Sequence, residues 1–161
     1  MESNDCFICK RISMIQEGIS PYFVAELKTG YVVIGDYQYF RGYTLFLCKE
    51  HKTELQFLNE SLKIVFLTEM SKVAEAVYNA FKPYKLNYEL LGNGQGGSHM
   101  HWHIYPRREN DTTIQGPVWC LDRELMYSEK VKPTESELKD MKIKLFNELQ
   151  KVTTIIKKGD F

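Results

Sequence analysis

Apolar residues recur along this chain with two periods, one near helical spacing and one of two residues, and each stretch predicts its own element. In "DCFICKRISMIQEG", Ile8, Ile12 and Ile15 predict a short helix, which Gly18 ends by entering the left-handed region. "YFVAEL", the turn "KTG" and "YVVIG" read as a hairpin rich in aromatic and β-branched residues. After the loop "DYQYFR", the stretch "GYTLFLC" reads as a third strand. From Leu58 to Phe81, the positions Leu58, Leu62, Val65, Phe66, Val73, Val77 and Phe81 define an amphipathic helix that Pro83 brings to an end.

The second half continues with a strand in "NYELLG", a Gly-rich loop in "NGQGG" and a strand in "SHMHWHIYP" that Pro106 closes. Side chains in a strand switch sides at each residue, so His99, His101, His103 and Tyr105 share one face, with Met100, Trp102 and Ile104 on the other. The apolar face is expected to pack on the main helix. "QGPVWC" is irregular. Thr134 and Glu137 form a capping-box signature that opens a long C-terminal helix. Its apolar stripe runs through Leu138, Met141, Leu145, Leu149, Val152 and Ile156, and Gly159 is expected to cap it.

Three of the chain's four histidines stand at every second position of one strand, a spacing that chance supplies only about 0.002 times per chain of this composition. Histidines on the solvated face of a strand are unremarkable singly; three in register suit either metal binding or nucleophilic attack by a neutral imidazole with a helping neighbour. Upstream, "GNGQGG" supplies backbone that can turn N–H groups toward an anion, with Asn93 and Gln95 as neutral donors. Downstream, Arg107 and Arg108 are expected to approach charge on the far side of a ligand. Phosphate chemistry explains these neighbours best.

Length and charge narrow the classes further. The 161 residues suit one domain, 1–161, with a core large enough to need no staples. Basic and acidic residues number 21 each and form no basic run, which argues against nucleic acid as a partner. No apolar run approaches the ~18 residues that suggest a membrane span, and "MESNDCFICKR" lacks the basic start and apolar core of a secretory signal. The expected location is cytoplasmic. Cys6, Cys9, Cys48 and Cys120 are then expected to be reduced, as core residues or metal ligands.

"HMHWHIYPRR", the Gly-rich loop before it and "FRGYTLFLCKEH" resemble the histidine triad (HIT) family of nucleotide hydrolases and transferases over roughly residues 5–120. The resemblance implies an α+β fold, an antiparallel sheet of about five strands with a main helix packed on it, usually paired as a two-fold homodimer. Residues from about 121 to 161 form an appended helical extension that it does not explain. It further implies that His101 is the nucleophile that attacks the α-phosphorus of a purine nucleotide and forms a nucleotidyl-histidine, with His103 contacting the phosphate. Asn93, Gln95, Gly96 and Gly97 would hold phosphate oxygens, and Asp36 resembles an acidic ribose-binding position. One departure stands out: many members carry a histidine after the glycine of the third strand, where this chain has Tyr43.

Relatives of the family place zinc on an equivalent CxxC, a histidine after the third strand and the first histidine of the triad. By that resemblance Cys6, Cys9, His51 and His99 would form a Cys₂His₂ site of structural zinc, with none needed for the chemical step. Trp102 is expected in the core, Trp119 over the substrate site or in a dimer interface, and Tyr37, Tyr39, Phe40 and Tyr43 in a base pocket or the core. The expected activity is cleavage of a nucleoside phosphoanhydride or phosphoramidate, of the diadenosine polyphosphate or AMP-amidate type. The alternatives are a non-catalytic nucleotide-binding protein, a metal enzyme using all three histidines, and DNA-end processing. The neutral net charge disfavours the last.

Overall fold

A computed structural model describes residues 6–93, 98–114 and 116–161. Its first element is α1 (Phe7–Gln16), with Ile8, Ile12 and Ile15 buried as the sequence predicts and Gly18 at a positive φ of 76° beyond its end. The strands β1 (Phe23–Glu26) and β2 (Gly30–Ile34) form the expected hairpin, and β3 (Thr44–Cys48) pairs with β2. The main helix α2 (Glu60–Phe81) begins two residues later than the pattern suggests, because the Asn59 side chain accepts from the Leu62 amide and caps it. β4 (Lys85–Leu90) and β5 (His101–Arg107) follow, then the short α3 (Arg123–Met126), α4 (Glu135–Val152) and a two-residue β6 (Lys157–Lys158).

The strands make one antiparallel sheet in the order β4-β5-β3-β2-β1-β6, an α+β architecture with six strands rather than five. The sixth corrects the sequence reading of the C-terminus. α4 carries its capping box and buries Leu138, Met141, Leu145 and Leu149, but it stops at Val152. The chain then turns back along β1, where Ile156 donates to Glu26 and Gly159 to Val24 through their backbone amides. Gly159 is therefore a strand-docking glycine rather than a helix cap, and Ile156 is exposed rather than part of the stripe. The Lys142 ammonium, buried under this tail, donates to the carbonyls of Pro21 and Asp160.

The central strands β1, β2 and β3 are buried on both faces. On one, α2 and α4 cover Val32, Phe46, Met100 and Ile104, with Phe46 stacked on Phe66 at 5.1 Å; burying each such side chain contributes about 1.5–3 kcal/mol. On the other, α1 and residues from Val118 to Met126 cover Tyr31, Val33, Tyr43, Leu45 and Tyr105. β5 runs through Pro106 to Arg107 instead of closing at the proline. Its pairing with β3 ends at Ile104, and Pro106 has only β4 beside it, where a missing N–H costs little. Among the described residues no helix is long and apolar enough to cross a membrane.

Candidate active site and metal centre

Alternation along β5 sends Met100 and Ile104 into the helix-covered core and leaves the histidines on the opposite face, as expected. His101 stands across from Leu47, and His103 lies between Leu45 on β3 and Glu89 on β4. The two imidazole rings are 4.6 Å apart. His101 Nδ1 lies 2.7 Å from the His99 carbonyl oxygen. A carbonyl only accepts, so Nδ1 carries the proton and Nε2 keeps a bare lone pair. Burial lowers the His101 pKa and takes that of His103 to about 3, so both rings are neutral at pH 7.

Tyr43 and Tyr105 complete this group. Their rings stack at 4.2 Å, and their hydroxyls reach His103 Nδ1 at 2.6 and 3.4 Å respectively. Gly35 makes room for Tyr43, because a Cβ there would overlap the phenol ring. Burial raises the pKa of both phenols, so both keep their protons.

Beside this group, Cys6, Cys9, His51 and His99 bring their ligand atoms within 4.8 Å of one another. Cys6 caps α1, accepting from the Cys9 amide, which sets both thiols at the same helix end. The Met100 amide donates to Lys52 and the Cys48 amide to Met100, and these bonds hold His99 beside His51. His51 Nδ1 is 3.1 Å and His99 Nδ1 3.4 Å from Cys9 Sγ. Ligands of a tetrahedral zinc stand about 3.3–3.8 Å apart; the two contacts to Cys9 are already near that spacing, and the whole set, within 4.8 Å, has only to close slightly to hold such an ion. The buried His99 donates its Nε2–H to the Cys48 carbonyl at 2.8 Å, which leaves Nδ1 bare toward the thiols. Burial first, then Cys6, pushes the Cys9 thiol up to about 11, while burial brings the His99 pKa down to about 4. A cation here therefore meets a neutral imidazole and displaces a thiol proton.

The other expected site residues divide. Asp36 is engaged by the guanidinium of Arg11 on α1. That leaves its Oδ1 and the Arg11 Nη1 buried without a partner among the described residues. Arg11 also lies close enough to His101 to contribute to its lowered pKa. Asn93 is exposed, and Gln95, Gly96 and Gly97 lie outside the described residues.

Arg107 does not reach toward a ligand beside the histidines. It is consumed by Asp111, Asn87 and the Gly116 carbonyl, while Arg108 donates to the Phe81 carbonyl. Arg107 ends β5 and Arg108 lies just beyond it, and the downstream turn supplies Asp111 to pair with the more buried Arg107. Trp102 lies against the core with its indole nitrogen buried and without a partner among the described residues, and Trp119 is exposed. Phe40 and Tyr43 are core residues, whereas Tyr37 packs edge-on against Tyr127 at 5.5 Å.

Sequence reasoning passed over Arg11 and Tyr127. Arg11 sits two residues after Cys9, and that proximity to a ligand was the available signal. Tyr127 comes from the C-terminal extension and lies near enough to Tyr105 to influence its phenol, a placement with no local signature.

No protein-family model matches the chain, and no curated protein does. Solved structures do. A histidine triad protein from Marinobacter aquaeolei superposes with a TM-score of 0.67 at 21% identity, covering 85% of this chain and 96% of that one. A HIT family protein from Bacillus anthracis gives 0.58 at 24% identity, covering 91% and 98%. A zinc-bound histidine triad family protein from Mycobacterium smegmatis gives 0.58 at 20% identity, covering 91% and 96%. The chain has the fold of the histidine triad proteins, with His101 and His103 on β5 and His99 just before it.

Proposed function

We propose that the protein is a histidine triad nucleotide hydrolase or transferase that cleaves a nucleoside phosphoanhydride or phosphoramidate through a covalent nucleotidyl-histidine. The observation that carries this reading is the His101 Nδ1–H bond to the His99 carbonyl, which leaves Nε2 as a neutral nucleophile. The Nε2 lone pair attacks the α-phosphorus, the bond to the leaving group breaks with its electron pair, and water then releases the mononucleotide. His103 and the loop holding Asn93, Gln95, Gly96 and Gly97 stabilise charge on the phosphoryl oxygens. Asp36, held by Arg11, takes the hydroxyls of the sugar.

The CxxC cluster takes structural zinc, which ties α1 to the end of β5 and takes no part in the chemical step. The four free cysteines fit a cytoplasmic setting. The outer edge of β4, with Tyr84, Tyr88 and Leu91 exposed along it, suits pairing with a second copy as a homodimer. Light scattering of wild type against Tyr88→Lys tests that pairing, which a monomeric wild type rules out.

The function is tested by incubating wild type and His101→Ala with diadenosine polyphosphate and adenosine phosphoramidate. AMP release and an acid-labile adenylylated protein are expected from the wild type alone. Equal hydrolysis by the mutant rejects His101 as nucleophile. If both proteins bind AMP and neither turns over, the chain is a non-catalytic nucleotide-binding protein.

A further inference from the structure

The partners of His103 decide what it gives a substrate. The Tyr43 hydroxyl is 2.6 Å from His103 Nδ1, and the Tyr105 hydroxyl is 3.4 Å from the same atom. The two phenols also interact with each other, and Tyr105 with Tyr127, so the Tyr43 contact to the ring, by far the shorter, decides the tautomer. A phenol proton needs an acceptor, and an imidazole lone pair is a stronger one than a phenol oxygen. At 2.6 Å the Tyr43 contact is shorter than the about 2.7–3.2 Å of bonds that an N–H donates to oxygen, and it lies in the range of hydroxyl donors. Tyr43 therefore donates to Nδ1, and the His103 proton sits on Nε2.

His101 and His103 thus hold opposite tautomers on neighbouring rungs of one strand. His101 presents a lone pair at Nε2 because a carbonyl takes its Nδ1–H. His103 presents Nε2–H because a phenol fills its Nδ1. A neutral imidazole in that state donates a hydrogen bond, but it has no proton to release without becoming an imidazolate. Tyr43 cannot replace that proton readily, since its buried phenol holds its own far above neutral pH.

We propose that Tyr43 is a positioning residue that makes His103 a hydrogen-bond donor and not a proton donor, so the substrate must carry a leaving group that departs unprotonated. Resting on the hydrolase reading above, this selects a phosphoanhydride, whose leaving oxygen belongs to a phosphate of low basicity, over a phosphoramidate, whose amine must be protonated as it leaves. The bookkeeping of the step is simple. His101 Nε2 forms a bond to phosphorus, and the P–O bond breaks with its electron pair going to the departing phosphate. The His103 proton stays on Nε2, hydrogen-bonded to an oxygen of the reacting group. Water later attacks phosphorus, the P–N pair returns to His101, and the water's proton passes to the solvent.

Two measurements test this. Long-range ¹H–¹⁵N correlation spectra of the wild type read the tautomer directly and need no turnover: His103 is expected as Nε2–H and neutral from pH 5 to 8. An Nδ1–H tautomer, or an imidazolium in that range, overturns the proposal. The second measurement is kcat/KM for diadenosine polyphosphate and for adenosine phosphoramidate in wild type and Tyr43→His. The wild type is expected to favour the anhydride at least a hundredfold. Tyr43→His, which puts a proton-carrying ring beside Nδ1, is expected to raise the phosphoramidate rate at least tenfold relative to the anhydride. Equal use of both substrates by the wild type, or an unchanged ratio in a folded Tyr43→His, overturns it. No turnover of either substrate, with His103 still Nε2–H, rejects instead the hydrolase reading on which the preference rests.

Discussion

His101 takes its orientation from the backbone carbonyl of His99, 2.7 Å from its Nδ1. The side chain of His99 faces Cys9 and its Nε2–H is spent on Cys48, so one residue joins the Cys/His cluster to the imidazole beside it. The placement of His101 therefore depends on how firmly His99 is held.

Metal removal tests that dependence. The purified protein is expected to hold one zinc per chain by elemental analysis, and Cys9→Ser is expected to hold less than a tenth of that. Each 1 kcal/mol lost lowers the Tm of a chain this size by about 2–4 °C. A chelator or Cys9→Ser should lower it by at least about 5 °C, and turnover should fall with it. A metal-free wild type with the same Tm would remove the structural role.

Acid should destabilise the protein through His103. Its folded pKa is about 3, below the ordinary value of 6.5. As pH falls through ~6.5 the unfolded chain binds a proton that the folded chain refuses, so the unfolded state holds more protons and stability declines toward pH 3. One such group contributes at most about 1.4 kcal/mol per pH unit in that window. Urea midpoints between pH 6.5 and 5 should fall more steeply for wild type than for His103→Asn, and parallel slopes would contradict the burial argument.

Gly35→Ala should act on the site from outside it. The added methyl overlaps the Tyr43 ring, which must move away from His103. Turnover is expected to drop by about 10- to 100-fold, less than the about 100- to 1,000-fold that follows loss of a donor touching the reacting group, because Tyr43 acts through His103, with stability reduced by about 1–3 kcal/mol for the strain of overpacking. Crystallographic inspection of the variant should find the Tyr43–His103 distance lengthened past 3.5 Å.

Glu69 is the strongest structural test away from the site. Its carboxylate, buried on α2, accepts from the backbone amides of Lys28 and Thr29, at 2.9 Å each, and from the Thr29 hydroxyl. Glu69→Ala strands three donors at the β1–β2 turn. A loss of about 2–4 kcal/mol is expected from urea unfolding, since hydrogen bonds to charged groups are worth about 1.5–3 kcal/mol and orphaned donors add their desolvation. A loss under 0.5 kcal/mol would show that water replaces the carboxylate.

Much of this was readable before any coordinates. The period-two run from His99 to Tyr105 assigned the two faces of β5, and the spacing from Leu58 to Phe81 located α2 to within two residues of its start, because those patterns are local consequences of strand and helix geometry. The thiols of Cys6 and Cys9 were legible as a pair. Their convergence with His51 and His99 rested on resemblance, since the atoms meet across 42 and 90 positions of chain. Arg107 went the other way: its charge suggested a ligand, and a turn four residues on had already satisfied it.

The sequence by itself determined which residues face which side of each long element, where α4 begins, and that three imidazoles alternate along one stretch. Only the tertiary structure decided the state of each imidazole. Two backbone carbonyls and a phenol, as their partners, put the proton on Nδ1 of His101 but on Nε2 of His99 and His103, although the three repeat the same local pattern. The same holds for the last nine residues, where pairing with β1 overrode a helical stripe. The reason is physical: periodicity is set by bonds along the chain, whereas a proton's position is set by whichever acceptor the folded chain brings within about 3 Å.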